Sequence, residues 1–448
     1  MTRGLGMIAA RRLGMLAVLV LLGACTEVPE LEDVAATIAP GTPGLGGNRV
    51  SNAVADTSYG TAIADATRNN PALTQAAAAI RAAQAEERAA DGAFKPELSI
   101  GIGAESRIVR GSTDSNVSPF ARVSQLVYDG GAARADRSAA RARVLETRAS
   151  RIENASSAAL AAVEAHYNLV SRRKLLALAQ ENLRELQRIA NQIDERAARG
   201  AGSSADQLTA QSRLADAETQ LADAQGSLDR AQAQYARYFG VIPERLPSAR
   251  KAPALSTQDE ENLRLSPRLR AVEARLRAAE ADLSAAQARK LPSVELGATG
   301  RRASGGGGDV GFDLSVSYSL DTRGQRAAAV DAAQARLDGL QAERDQLLRD
   351  VQEALAFARS DQRAGTARVA AARAAVASNK ASVEAAREQF GIGRRSLIDL
   401  LDAQRDHVRA QEVLISAEQD RFLTDYAVLA LTGDILDVFS VKLTEVAQ

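Results

Sequence analysis

Residues 393–404 read GRRSLIDLLDAQ, and residues 200–211 read GAGSSADQLTAQ. Each phrase opens on Gly, carries Ser three places on and Asp six places on, and closes on Ala-Gln. The two lie 193 residues apart, and the same interval joins Gly131 to Gly324 and Gly240 to Gly433. Upstream the interval is 196: it relates Asn70-Pro-Ala-Leu73 to Ser266-Pro-Arg-Leu269, and Pro96 to Pro292. Spacing held over more than a hundred residues indicates two copies of one structural unit, 59–250 and 251–448.

Each unit has the same internal order. An Ala-rich amphipathic helix comes first, from Pro71 to about Ala90 and again from Pro267 to about Arg289. Two short runs with a period of two follow, and that period is a strand signal. In the first unit they lie at about 96–104, where Leu98, Ile100 and Ile102 alternate, and at about 120–128. In the second they lie at about 293–301, with Val294, Leu296 and Ala298 on one face, and at about 312–320. Between the last two stands Ser304-Gly-Gly-Gly-Gly-Asp309, which lacks the Gly-Lys-Ser/Thr of a phosphate cradle and reads as a hairpin loop.

A long tract without proline then begins in each unit: none occurs between Pro119 and Pro243, or after Pro292. Leu176, Ala179, Leu183, Leu186, Ala190 and Ile193 are spaced 3,4,3,4,3, and Ala149, Ile152, Ser156, Ala159 and Val163 keep that rhythm. This is heptad packing with small seam residues, and about seventy residues at 1.5 Å each give a helix roughly 100 Å long. The quoted phrases, at about 199–204 and 391–396, break it, and a second helix runs back, from about Ser204 to Phe239 in the first unit. Each phrase is therefore the turn of a long helical hairpin, with Ser203 or Ser204 the expected N-cap and Ser396 its counterpart.

Composition agrees with this shape. Aromatic residues make up 3% of the chain and Trp is absent, so narrow helix seams suit it better than a thick core. Lys+Arg and Asp+Glu balance at 56 each, which gives no basic field for nucleic acid. Arg3, Arg11 and Arg12 precede an apolar run from Leu13 to Leu22, so residues 1–24 read as a secretory signal too short to span a bilayer. Cys25, the single cysteine, excludes an internal disulfide framework. It follows Leu22-Gly-Ala24 in a pattern that resembles a bacterial lipobox, with Thr26 next, which by resemblance to bacterial lipoproteins favours the outer membrane. Residues 25–58, rich in Pro, Gly and small polar residues, read as an acylated cysteine and an extended tether with little regular structure.

Four strands with apolar–polar alternation cannot close a barrel alone, and an open edge is not tolerated in lipid. Membrane strands in this chain therefore require several chains to pool them. The order helix, hairpin, long helix, tip, helix, the joint Gln125-Leu-Val-Tyr-Asp-Gly-Gly131 and the phrase Gly393-x5-Asp-Leu-Leu-Asp-Ala-Gln404 together resemble the TolC-type outer-membrane factors. The resemblance covers nearly the whole chain beyond the tether. It implies a mixed α/β membrane protein: a homotrimer with a 12-stranded β-barrel in outer-membrane lipid and a helical coiled-coil barrel below it. It also implies an export duct without catalysis or cofactor, working with a periplasmic adaptor and an inner-membrane pump of RND or ABC type. The cargo is a small molecule, as in drug efflux, or a type I secreted protein.

By the same resemblance both tips dock the adaptor, through Gly200, Ser203 and Leu208 in one and Gly391, Gly393, Ser396 and Leu397 in the other. The second tip also implies a periplasmic gate. Asp399 and Asp402, three apart and hence on one helix face, match the acidic pair, and Arg395 and Asp206 match a polar link. Phe390 occupies the aromatic position of a second link without its hydroxyl, so that hydrogen bond is lost, and closure there is either looser or uses another donor such as Arg394.

Two other classes compete with this reading. An enzyme is disfavoured because His166 and His407, the only histidines, read as helix-face residues, and no Gly-x-Ser-x-Gly nucleophile motif is present. A structural coiled-coil periplasmic lipoprotein or adaptor without a pore would share the lipobox and heptads, but has no need for membrane-length alternating strands.

Overall fold

The structure is a computed structural model that describes residues 31–39, 44–45, 50–109, 112–200, 203–254, 266–302 and 307–443. The signal, Cys25 and most of the Gly-rich loop at 303–306 lie outside the described residues. In chain order the elements are α1 (Glu32–Ile38), α2 (Ser58–Arg68), α3 (Pro71–Gly92), β1 (Glu97–Val109), β2 (Ser112–Tyr128), α4 (Ala132–Ala198), α5 (Ser204–Phe239), α6 (Pro267–Ala288), β3 (Ser293–Arg302), β4 (Gly308–Ser317), α7 (Gln325–Gly391), α8 (Leu397–Thr432) and α9 (Ile435–Val438).

The proline-free tracts form α4 and α7, each of 67 residues, and the returning helices α5 and α8 have 36 residues each. The shorter α3 and α6 have 22 each, both with proline in the first turn, where its missing N–H costs nothing. At the joint before α4, Asp129 accepts from the amides of Gly131 (2.9 Å) and Ala133 (2.6 Å), which satisfies donors that the helix start leaves free. Asp321 accepts from Ala327 (2.9 Å) before α7, and that donation holds its carboxyl below the usual range.

The heptad reading holds at Leu186, Ala190 and Ile193, which are buried, whereas Leu176, Ala179 and Leu183 are only half-buried. A second stripe, Leu178, Asn182, Glu185 and Ile189, is buried as well. The reason is the packing: α4 contacts α3, α5, α6 and α8, so one seam is not enough.

The four strands form one antiparallel sheet in the order β1-β2-β3-β4. Cross-strand register assigns side chains to faces. The rows Leu98–Val123–Ala298–Phe312 and Ile100–Ala121–Gly300–Val310 run apolar across all four strands. The alternate rows Ser99–Arg122–Thr299–Gly311 and Glu97–Ser124–Gly297–Asp313 are polar or small. On that polar face Asp313 lies across Gly297, where a Cβ would meet its carboxylate at 2.6 Å, and reaches Arg122 at 3.5 Å. The apolar face is uncovered: Ile100 is 80% exposed, Phe312 82% and Leu314 66%.

Three expectations are corrected. The first hairpin is longer than 96–104 and 120–128, because ladder pairing continues to Val109 and Ser112 through residues with no apolar alternation. The last strand is Gly308–Ser317 rather than 312–320: its partner β3 begins at Ser293, opposite Ser317, and Pro292 before it has no N–H to extend the ladder. The tether carries structure. In α1, Val34 and Ile38, one turn apart, are buried against α4 and α6, and the amide of Gly44 donates to Asp437 at 2.7 Å.

The helix face that carries His166 is turned inward. It is fully buried beside Tyr59, with Nε2–H donating to the Pro247 carbonyl at 3.0 Å, and burial pushes its pKa down. His407 is half-buried, bonded to Gln411 at 2.8 Å. No helix among the described residues is long and apolar enough to cross a membrane.

Candidate functional site

The chain presents two candidate functional surfaces, the exposed apolar sheet face and the paired tips. The tips lie at the far ends of α4 and α7 from the sheet, each about 100 Å of helix away at 1.5 Å per residue.

In the first tip α4 ends at Ala198 and Gly200 turns the chain at φ 76°. Ser203 caps α5, its hydroxyl accepting from the Ala205 amide at 3.1 Å. In the second, Gly393 turns the chain at φ 73° after α7 ends at Gly391. L side chains pay for that left-handed conformation, which selects Gly at both positions. A Gly393→Val variant is expected to strain the second tip while leaving the sheet untouched. Circular dichroism and limited proteolysis should separate on this variant, helix content retained and cleavage at the tip increased. Loss of helix content would make the turn a folding element.

Ser396 caps α8 through a reciprocal box. The Asp399 amide donates to Ser396 Oγ at 3.2 Å, and Asp399 Oδ2 accepts from the Ser396 amide at 3.2 Å and from its hydroxyl at 2.7 Å. These donations, first from the hydroxyl and then from the amide, with Arg395 close by, hold the Asp399 carboxyl below the usual range. Asp402 pairs with Arg405 at 3.1 Å, and Arg405 also reaches Asp406 at 3.2 Å.

Within the single chain the side chains named for the links meet these partners. Among the described residues no ion pair joins Arg395 to Asp206; the nearby charge for Arg395 is Asp399. Phe390 is buried at 7% exposure, and within the chain the donor that meets it is Arg196. The Arg196 guanidinium lies 4.5 Å from the ring centroid and donates to the carbonyls of Phe390 (3.5 Å) and Gly391 (3.3 Å). Leu397 is 3% exposed and packs with Leu400, Leu401, Phe390, Ile189 and Ile193, so within the chain it shapes the tip from inside rather than forming its surface. The exposed aliphatics are Leu208, at 68%, and two that the sequence reading missed, Ile392 at 67% and Ile398 at 56%.

Between sheet and helices lies a recess of about 650 Å³, lined among others by Asp129, Asp136, Arg289, Glu295 and Arg326. Arg289 there donates to both carboxylate oxygens of Asp136 at 2.7 Å. It continues the polar face of the sheet, to which Glu295 and Ser317 belong, down onto the helices.

Known proteins share this arrangement. The sequence profile described as outer membrane efflux protein matches residues 62–241 and 260–434. The outer membrane efflux protein BepC of Brucella suis biovar 1 (strain 1330) is 26% identical over 385 residues, 83% of this chain and 84% of BepC. Among solved structures, the outer-membrane channel OprN superposes with a TM-score of 0.78 at 21% identity, over 92% of this chain and 99% of OprN. The open state of the Neisseria gonorrhoeae MtrE outer membrane channel gives 0.73 at 21% identity, over 85% and 90%. The long helical hairpins, the four-stranded sheet and the matched residues agree, and the chain belongs to the outer membrane efflux protein family.

Proposed function

We propose that three copies of this chain form an outer-membrane duct that passes small molecules, or a type I secreted protein, out of the cell as part of a tripartite export system. The observation that carries this is the sheet, with rows on one face that run apolar across all four strands, exposed at Ile100, Phe312 and Leu314, and with β1 and β4 each paired on one side only. Such edges cannot stand open in lipid. Setting β4 of one copy beside β1 of the next, three times over, pools four strands per chain into twelve and closes a barrel. The apolar rows then meet lipid, and Arg122, Asp313 and Glu295 line the lumen. The relatives named as efflux proteins and channels support the reading. The matching helix lengths of α4 with α7 and α5 with α8 support an internal duplication at 59–250 and 251–448.

The two tips of each chain set six hairpin ends around one periplasmic mouth. The exposed Leu208, Ile392 and Ile398 there suit an apolar contact with a periplasmic adaptor, which in turn meets an RND or ABC pump. Cys25 would anchor the duct by acylation, beside a barrel that supplies most of the membrane-buried area.

One purified sample tests both ideas. The protein extracted in mild detergent should migrate as a heat-sensitive trimer and conduct ions in planar bilayers. Its intact mass should place Cys25, with acyl chains, at the mature N-terminus. A monomer without conductance would overturn the duct, and an unacylated N-terminus at Thr26 or later would overturn the anchor.

A further inference from the structure

We propose that Arg196 is a positioning residue that fastens the second tip to the first within each chain, and so sets how far the mouth opens at rest. This rests on the reading of the chain as a gated duct.

The argument starts from the end of α7. Its last turn carries no basic residue, so the partial negative charge of its terminal carbonyls has no compensation from its own helix. Arg196, on the other hairpin, supplies that charge. It bonds the Phe390 and Gly391 carbonyls at 3.5 and 3.3 Å and covers the Phe390 ring at 4.5 Å. A planar guanidinium can do both at once, whereas an ammonium group is a point charge. The same face of α4 carries the rest of the seam, at positions 182, 185, 189, 193 and 196. Asn182 meets Gln404 at 3.3 Å, buried Glu185 pairs with Arg387, and Ile189 and Ile193 lie in the shared apolar cluster. Arg196 is the member of this seam nearest the turn. A swing of the α7–α8 tip away from α4–α5 moves that end furthest, so this contact must release first.

Single-channel recording on the full trimer tests the assignment. Arg196→Ala should raise the open fraction at rest roughly ten-fold, equivalent to about 1.4 kcal/mol. Arg196→Lys should restore part of the closure. Phe390→Leu keeps an apolar side chain in the cluster and removes the ring face. It should also raise the open fraction, and less than additively when combined with Arg196→Ala. If Arg196→Ala yields no trimers, Phe390→Leu and Arg196→Lys carry the test. Parental conductance in every variant that assembles would overturn the latch. Neutralising Asp399 and Asp402 in parallel separates the two ideas. If that alters selectivity while the Arg196 variants conduct as the parent, the latch fails and the gate stands. If neither set alters conduction, both fail.

Discussion

Replacing Leu314 with Arg is expected to abolish the heat-sensitive trimer and leave the protein outside the membrane. Leu314 stands on β4, 66% exposed, between Phe312 and Val316 on the apolar face. A cationic side chain on the lipid face of a barrel costs about 2–4 kcal/mol near the bilayer midplane, and a trimer incurs that cost three times over. The neighbouring Ser315→Arg should be tolerated. Ser315 is on the opposite face, paired with Glu295, so a guanidinium there enters the lumen beside a carboxylate. Fractionation of membranes and unheated gel migration measure both variants. Equal tolerance at 314 and 315 would remove the barrel assignment, because burial against protein on both faces, or on neither, gives no such asymmetry.

The parts of this fold legible in the sequence were those set by local chemistry. Proline-free tracts bounded by glycine gave the long helices, because a helix interior excludes proline and a left-handed turn selects glycine. Ser203 and Ser396 could be read as caps for the same reason. The strands of the second unit were visible through alternation, but their ends were not. Where β1 and β2 continue past Ala104, the ladder is held by backbone bonds between mostly polar residues, which leave no periodic trace. The tip contacts were the least legible. Arg196 meets a ring and two carbonyls on residues 194 and 195 positions away, and a carbonyl acceptor has no side-chain signature. The resemblance pointed to Phe390, and the contact of Arg196 with that ring is visible only where the two tips meet in the folded chain.

The largest change in conduction is expected from Asp399→Asn combined with Asp402→Asn, a loss of cation preference and of block by multivalent cations. Positions 399, 402 and 406 of α8 are all Asp, spaced 3,4 along one helix face. Their counterparts 193 residues earlier on α5 are Asp206, Thr209 and Arg213, so only the second hairpin carries an acidic stripe. Three chains would bring three such stripes around one mouth, where like charges repel and attract counter-ions into the opening. Arg405 is shared between Asp402 and Asp406, at 3.1 and 3.2 Å, and offsets only part of their charge. Asp399 is held ionised by Ser396, so its charge should persist as the pH falls below the ordinary carboxylate range. Cation preference should therefore fade at a lower pH than a solvated aspartate would give. Asn is the informative replacement, since its side-chain oxygen can still accept from the Ser396 amide and preserve the cap while the charge is removed. Ala at 399 would remove both at once. If the Asn pair forms normal trimers with unchanged selectivity and cation block, Asp399 serves only as a helix cap, Asp402 is a solvated partner of Arg405, and the constriction lies elsewhere.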